Sequence, residues 1–424
     1  MEAPSTLRRR ASVVFIFITI LLDMLALGII VPVLPKLIEG FLGGDVSRAA
    51  EIIGLFGTTW ALMQFIFSPV MGVLSDQIGR RPVVLLSNLG LGLDYFLMAL
   101  APTLGWLFVG RVISGITTAS ISVASSYVAD VTPAEKRSGA FGLIGMAFGV
   151  GFILGPAIGG YFGQIDPRLP FAIAGALSLL NATYGFLILP ESLSPENRRD
   201  FSWRRANPVG SMRLLNASVR LRALAEINFL SSLAHVIFPT VMVIYLNHRY
   251  GWTVRTVGLM LALVGVTNGL VQGALVARIV KWLGEARAML MGLAFGAAGF
   301  AVAGAAPTGR LFWFCIPLLA MWGVANAVVQ GMMTQEVHAD QQGHLQGAIG
   351  SLRGIAELVG PGIFAFSFAY FIRPASPVQL PGAPFYIAAG MLALSIVILL
   401  WRVLRVLTVS GRESTTPKTA DLPR

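Results

Sequence analysis

Charge is scarce in this chain. Of its 424 residues, 12% are Asp, Glu, Lys or Arg, against about a quarter in an ordinary soluble domain. That scarcity excludes a cytosolic enzyme and an intrinsically disordered chain, which needs high charge and few apolar residues. Cysteine is rarer still. The one thiol, Cys315, lies in an apolar run, and a single cysteine builds no disulfide framework. Histidine is limited to four scattered residues, and no nucleotide or metal motif accompanies them. ATP as the energy source and a membrane enzyme are both disfavoured. What the chain has in quantity is apolar surface: 55% hydrophobic residues and a mean hydropathy of +0.75.

A membrane helix needs about 20 apolar residues. Apolar runs fall near 12–34, 51–74, 83–102, 105–127, 138–162 and 169–189, and again near 221–246, 256–281, 286–305, 310–333, 344–371 and 383–408. The first run follows Arg8, Arg9 and Arg10 but is too long for a signal-peptide core, and it ends in Pro32 and Pro35 rather than a cleavage site. The fold class expected is an all-α membrane protein of twelve transmembrane helices. The expected layout is a cytoplasmic N-terminus at 1–11, a six-helix half at 12–189, a cytoplasmic linker at 190–220, a second half at 221–408 and a cytoplasmic tail at 409–424.

The net charge of +11 would suggest nucleic acid in a soluble protein. In a membrane protein, its placement matters more. With the N-terminus cytoplasmic and twelve spans, 22 of the 31 Lys and Arg fall on the cytoplasmic side, 7 outside and 2 within spans, as the positive-inside rule requires. The linker, which holds Arg198, Arg199, Arg204, Arg205 and Arg213, reads as a solvated segment near anionic headgroups or as a partner-binding site.

The two halves share landmarks 205 residues apart: Gly79 and Gly284, Gly142 and Gly347, Gly155-Pro156 and Gly360-Pro361, and Asp23 opposite Asn228. Two parallel six-helix repeats are an architecture of secondary transporters.

The turn after the second run contains Gly72, Asp76, Gly79, Arg80, Arg81 and Pro82. Gly79 permits a tight turn, Pro82 suits the first turn of a helix, and Asp76 is placed to meet that helix's N-terminal dipole. Asp130, at the end of the fourth run, is the expected partner of one arginine. The string resembles the signature of the major facilitator superfamily, in which this turn is a cytoplasmic latch. The alternative is that Arg80 and Arg81 serve topology alone. The equivalent turn in the second half keeps Gly284 and lacks the Asp/Arg arrangement.

Gly151, Gly155 and Gly159 recur every four residues in the fifth run, beside Pro156. They form one face on which another backbone can pack closely, and Pro156 kinks the helix. The full string is similar to that of the drug–proton antiporter branch, which implies a hinge and export. Ordinary small-residue packing is the alternative.

Four ionisable residues fall within runs: Asp23, Asp94, Arg111 and Glu357. Charges there cost about 2.5–3.5 kcal/mol each on insertion scales and so face the interior or a wet cavity. A carboxyl group in such surroundings can stay neutral. Asp23 is therefore a candidate proton carrier, a counter-charge for a cation, or a structural hydrogen-bond partner. Arg111, always charged, is expected to pair with Asp23 directly or through water, or else to snorkel to the outer interface. Glu357 is either a replacement acid or a packing partner of Arg353, four residues before it.

The stretches around Asp23, around Gln64 and Asp94, and from Gln335 through Gln341 and Gln342 to Gly347 resemble the tetracycline–proton antiporters over nearly the whole chain. The resemblance implies proton coupling through Asp23, Asp94 and Arg111, with a cavity that includes Asp23, Gln64, Asp94, Asn268 and Gln272. It also implies a bacterial inner membrane, a small-molecule substrate with protons as partners, and a proton gradient in place of any cofactor. A monomer is expected, with no nucleic acid. At the positions where the Gram-negative exporters carry a histidine and an acid, this chain has Asn268 and Gly296, which argues against tetracycline itself as cargo, with a divalent-metal-chelated substrate kept as an alternative. His235 is expected to be a structural histidine. Phe229, Phe238, Tyr245, Trp252, Phe295, Trp313 and Trp322 are expected mostly at lipid or interface positions, with one or two lining a pocket. A proton symporter or exporter of a metabolite on the same fold is the alternative. A non-transporting receptor, the reading from another class, has no use for buried acids.

Overall fold

The computed structural model describes residues 3–118, 120–132, 137–203, 207, 210–338 and 341–404. Arg204 and Arg205 of the linker and the tail from residue 409 lie outside the described residues. Every regular element among the described residues is helical. In order they are α1 (Ala3–Ile30), α2 (Leu34–Phe41), α3 (Val46–Ile78), α4 (Arg80–Leu100), α5 (Leu104–Thr117), α6 (Ser120–Val131), α7 (Arg137–Ile165) and α8 (Leu169–Ile188). After the segment 190–218 come α9 (Val219–His235), α10 (Val243–Tyr250), α11 (Val254–Leu270), α12 (Val276–Leu283) and α13 (Glu285–Ala305). The chain continues through α14 (Gly309–Phe312), α15 (Cys315–Gln335), α16 (Gln342–Ile372) and α17 (Ala383–Ile398).

Among the described residues, eleven helical stretches are long and apolar enough to cross a membrane. The fourth expected run is two shorter helices instead, α5 and α6, which part at Thr118. The sequence there is Gly115-Ile-Thr-Thr-Ala-Ser-Ile-Ser122. It stays apolar enough to read as one run, but threonine hydroxyls bond to backbone carbonyls here. Thr117 and Thr118 both donate to the Ser114 carbonyl, at 3.3 and 2.6 Å. π-helical turns at Phe238–Met242 and Val271–Leu275 join α9 to α10 and α11 to α12. The first contains Pro239, which has no N–H to give to the helical ladder.

The interval of 205 residues recurs in the backbone. It carries both ends of α4 onto both ends of α13, and the starts of α5 and α7 onto those of α14 and α16. Each member of the first pair is preceded by a glycine of positive φ, +107° at Gly79 and +76° at Gly284, a conformation that side chains resist.

α1 packs on α7 and α8, α4 on α5 and α8, and α13 on α15 and α17. Two seams join the chain before the linker to the chain after it, α3 with α16 and α7 with α11. Both seams are tight at the end away from the linker. A Cβ on Gly54 would lie 2.8 Å from Ala365 Cβ, one on Gly57 2.9 Å from Pro361 Cβ, and one on Gly160 2.8 Å from the Val254 carbonyl oxygen. Ser47 Oγ donates to the Ala369 carbonyl at 3.0 Å, and Arg373 forms an ion pair with Glu51. Toward the linker end the same four helices part. Gly72 on α3, Gly142, Gly145 and Gly149 on α7, Gly269 on α11, and Gly343 and Gly350 on α16 have nothing within 4 Å of where a side chain would begin. The bundle is closed at the far end and open at the linker end.

Candidate functional site

Asp23 on α1 is buried, and its Oδ1 accepts from Asn181 Nδ2 on α8 at 3.0 Å. Asn181 is held in turn by donating to the Thr19 carbonyl at 3.1 Å. Asp94, 1% exposed on α4, lies where Gly110 of α5 leaves room: a Cβ there would be 2.9 Å from Asp94 Oδ1. Arg111 is also buried, with its guanidinium 5.5 Å from the centre of the Trp60 ring of α3. It interacts electrostatically with Asp94 and forms no ion pair within 4 Å among the described residues. Both Asp94 oxygens, Arg111 Nε and Trp60 Nε1 are buried without a hydrogen-bond partner among the described residues. Such groups are costly unless water reaches them.

Arg111 makes no direct pair with Asp23, which is held by Asn181; it lies over the Trp60 ring and interacts electrostatically with Asp94. Nor does Arg111 snorkel, since it is only 9% exposed. Asn181 was missed. Its signal was a polar side chain within the apolar sixth run, three residues after the equally buried Ser178. Gln64 lies one turn beyond Trp60 on α3 and is partly exposed.

At the linker end, Arg80 gathers the expected latch. Its guanidinium meets Asp76 at 2.6 Å, Asp130 at 3.2 Å and Ser75 Oγ at 2.5 Å. The N-terminus of α4, however, is not taken by Asp76. Glu191, the first linker residue after Pro190, accepts from the backbone N–H of Arg80 at 2.8 Å and of Arg81 at 3.2 Å. A carboxylate fits this helix end, and Glu191 also occupies the space into which a Gly79 side chain would project. Arg81 instead donates to the Phe186 carbonyl at 2.7 Å.

The second turn holds a chemically altered counterpart. Gln335 Nε2 donates to Glu285 Oε1 at 2.9 Å, and these two positions are 205 residues beyond Asp130 and Arg80. Beside them Arg220 pairs with Glu336 at 3.0 Å.

The glycine face of α7 is a backbone seam against α1. Cβ atoms at Gly151 and Gly155 would lie 2.6 Å from Met24 Cβ and 2.7 Å from Gly28 Cα, and one at Gly159 would overlap the Ile29 carbonyl. Pro156, on the same helix, backs onto Gly258 of α11.

In the second half of the chain, Gln272 Nε2 donates to Asn268 Oδ1 at 3.3 Å, next to Gly323 of α15. Gln272 sits in the π-turn that follows α11. Gly296 has no room for any side chain, because a Cβ would lie 2.7 Å from Leu392 and 2.8 Å from Trp322. The aromatics are not mostly at lipid positions as expected: Tyr245 and Trp322 are core residues, 0% and 3% exposed, and Phe229, Phe238, Trp252 and Trp313 pack against the core. His235 is exposed, with ring contacts to Phe238 at 5.4 Å and Trp322 at 6.1 Å and no hydrogen bond among the described residues, so it is not the satisfied structural histidine expected. Arg353 and Glu357 form the expected i, i+4 pair at 2.9 Å, with side chains 67% and 31% exposed.

The Major Facilitator Superfamily model matches residues 16–361. The chain is 36% identical to the tetracycline resistance protein, class C, of Escherichia coli, over 83% of this chain and 88% of that one. It is 37% identical to the class E protein of Escherichia coli, over 84% and 88%. Its fold is similar to that of the nucleoside transporter NupG, with a TM-score of 0.73 at 12% identity, over 92% of this chain and 98% of the other.

Proposed function

The chain belongs to the major facilitator superfamily, and from that premise we propose that it is a proton-coupled antiporter that exports small amphipathic drugs by alternating access. As a member of that family it is a multi-pass integral membrane transporter and not an enzyme.

In this proposal α5 and α6 together make a twelfth span, the linker end and both termini are cytoplasmic, and 12–189 and 221–408 are the two moving halves in a bacterial inner membrane. The excess of Lys and Arg at the linker end supports that orientation. The splayed seams then correspond to an inward-open state, with the α7 glycine face as hinge and the Arg80 cluster as part of the gate that closes on the return.

One observation carries the coupling proposal: Asp23, Asp94 and Arg111 are buried within the membrane part of one half without an ion pair between them. Carboxyl groups so placed exist to change charge state or to bind charge. Asn181 fixes one carboxylate, while Arg111, which lies over the Trp60 ring, interacts electrostatically with the other. Gln64, Asn268 and Gln272 contribute polar groups to the cavity wall. Similarity to tetracycline resistance proteins supports drug export. The Asn268 and Gly296 positions favour a cargo other than the metal chelate, and a metabolite is the second candidate on the same ground.

The test uses inverted membrane vesicles with an imposed proton gradient and a pH-sensitive dye. Tetracyclines with magnesium, cationic dyes and phenicol-type drugs are added in turn. Substrate-triggered proton release in the wild type, lost in Asp23→Asn, is expected. Release that persists in Asp23→Asn removes Asp23 from the mechanism. No release with any compound, with protein confirmed in the membrane, overturns drug antiport.

A further inference from the structure

Helix α16 exposes two faces of opposite character. Val359, Phe366 and Tyr370 are exposed and apolar, and in a spanning helix they face lipid. The opposite stripe runs through Gln346, Gly350, Arg353, Glu357, Phe364 and Phe368 at helical spacing. Toward the far end this stripe points into the bundle, because Phe364 and Phe368 are wholly buried. Toward the linker end Gln346, Gly350 and Arg353 on the same stripe are exposed. An inward-pointing stripe that becomes exposed where the seams part borders the open cavity. The exposed Arg353 guanidinium therefore stands in its water.

Other groups meet it there. Gly354 packs on Phe65, the neighbour of Gln64, and Gly360 packs on Val236, the neighbour of His235. Arg353 interacts electrostatically with His235. The exposed His235 ring is backed by Phe238 and Trp322. One wall of the cavity thus offers the exposed His235 ring together with a guanidinium whose Nε is engaged by Glu357. A carboxylate that takes the place of Glu357 can engage this guanidinium bidentately.

We propose that this wall is a binding station for planar aromatic cargo bearing an anionic group: the anion meets Arg353, displacing Glu357, and the ring lies against His235. This deepens the export proposal and rests on it. It names the charge class of the cargo and a recognition point away from the buried acids of the first half.

The experiment measures equilibrium binding to the purified full chain of three probes that share one fluorophore: dansylglycine (anionic), dansylamide (neutral) and dansylcadaverine (cationic). Dansylglycine is expected to bind at least tenfold more tightly than the other two. Arg353→Gln should abolish that preference, Arg353→Lys should keep part of it, and Glu357→Gln should tighten dansylglycine severalfold by releasing the guanidinium. Each variant is checked for a monodisperse profile. Equal binding of the three probes, binding of none, preference for the amine, or a preference that survives Arg353→Gln overturns the proposal. No proton gradient enters this measurement. Its failure is therefore distinct from failure of the antiport proposal, which the vesicle assay reads.

Discussion

Substituting Gly155 by alanine tests whether the α1–α7 seam is a backbone contact with no slack. The added methyl would sit 2.7 Å from Gly28 Cα, 2.8 Å from Gly28 C and 3.0 Å from Ile29 N. Carbon atoms in good contact are about 3.5–4.0 Å apart, so α1 must retreat by roughly 1 Å, forfeiting up to half of each dispersion contact along the seam. Overpacking of this kind costs about 1–3 kcal/mol. The upper part of that range applies, because the atoms in the way are backbone and the neighbouring Gly151 and Gly159 are as tightly placed. About 2–3 kcal/mol is some thirty- to 150-fold in the folded ratio. Gly149, on the same helix, has nothing within 4 Å, so Gly149→Ala should be neutral or gain up to about 1 kcal/mol from helix propensity. The assay is built into the chain. Cys315 is its only cysteine and is fully buried, so a thiol-reactive dye reports unfolding. Gly155→Ala should lower the unfolding midpoint and Gly149→Ala should not. Equal effects of the two would refute the seam.

Glu191→Ala removes the carboxylate from the start of α4 and should cost about 1 kcal/mol, with Glu191→Gln intermediate; the Cys315 dye assay measures both, and an unchanged midpoint for Glu191→Ala would show that the cap contributes nothing. Gly296→Asp, which restores an acid at the position described for the Gram-negative exporters, should fold poorly because Trp322 and Leu392 fill the space, and Trp322→Ala in the same chain should recover yield and monodispersity; good behaviour of Gly296→Asp alone would show that the pocket yields.

Most spans were legible because apolar length is a coarse signal that needs no partner. The break at Thr118 was not, since threonine and serine lower hydropathy too little to interrupt a run, and the Thr117 and Thr118 hydroxyls that crowd the Ser114 carbonyl leave no mark on hydropathy. Within the site, Asp23, Asp94 and Arg111 stood out as charges in apolar runs, but their pairing depends on tertiary packing. Gly110 admits Asp94 to the side of α5 that carries Arg111, and α8 brings Asn181 to Asp23. Glu191 was invisible to a motif that ends at Pro82, because it caps α4 from 111 residues further along the chain. The Glu285–Gln335 contact lay within reach of the 205-residue interval. It was obscured because the repeat conserves the positions and not the chemistry.

The Glu51–Arg373 pair at the far end has a consequence for the cell. Its side chains are 30% and 49% exposed, so on the proposed topology they stand in the external solution and must separate each time the carrier opens outward. A pair so exposed is worth at most about 1 kcal/mol. Raising ionic strength from physiological to about 1 M shortens the screening length from about 8 to about 3 Å and removes most of that attraction. On the proposed transport cycle, the salinity of the surroundings thus becomes a setting on the resting population, worth up to about fivefold at about 1 M salt, and a medium saltier than sea water would bias the carrier toward its outward-open state before any cargo arrives.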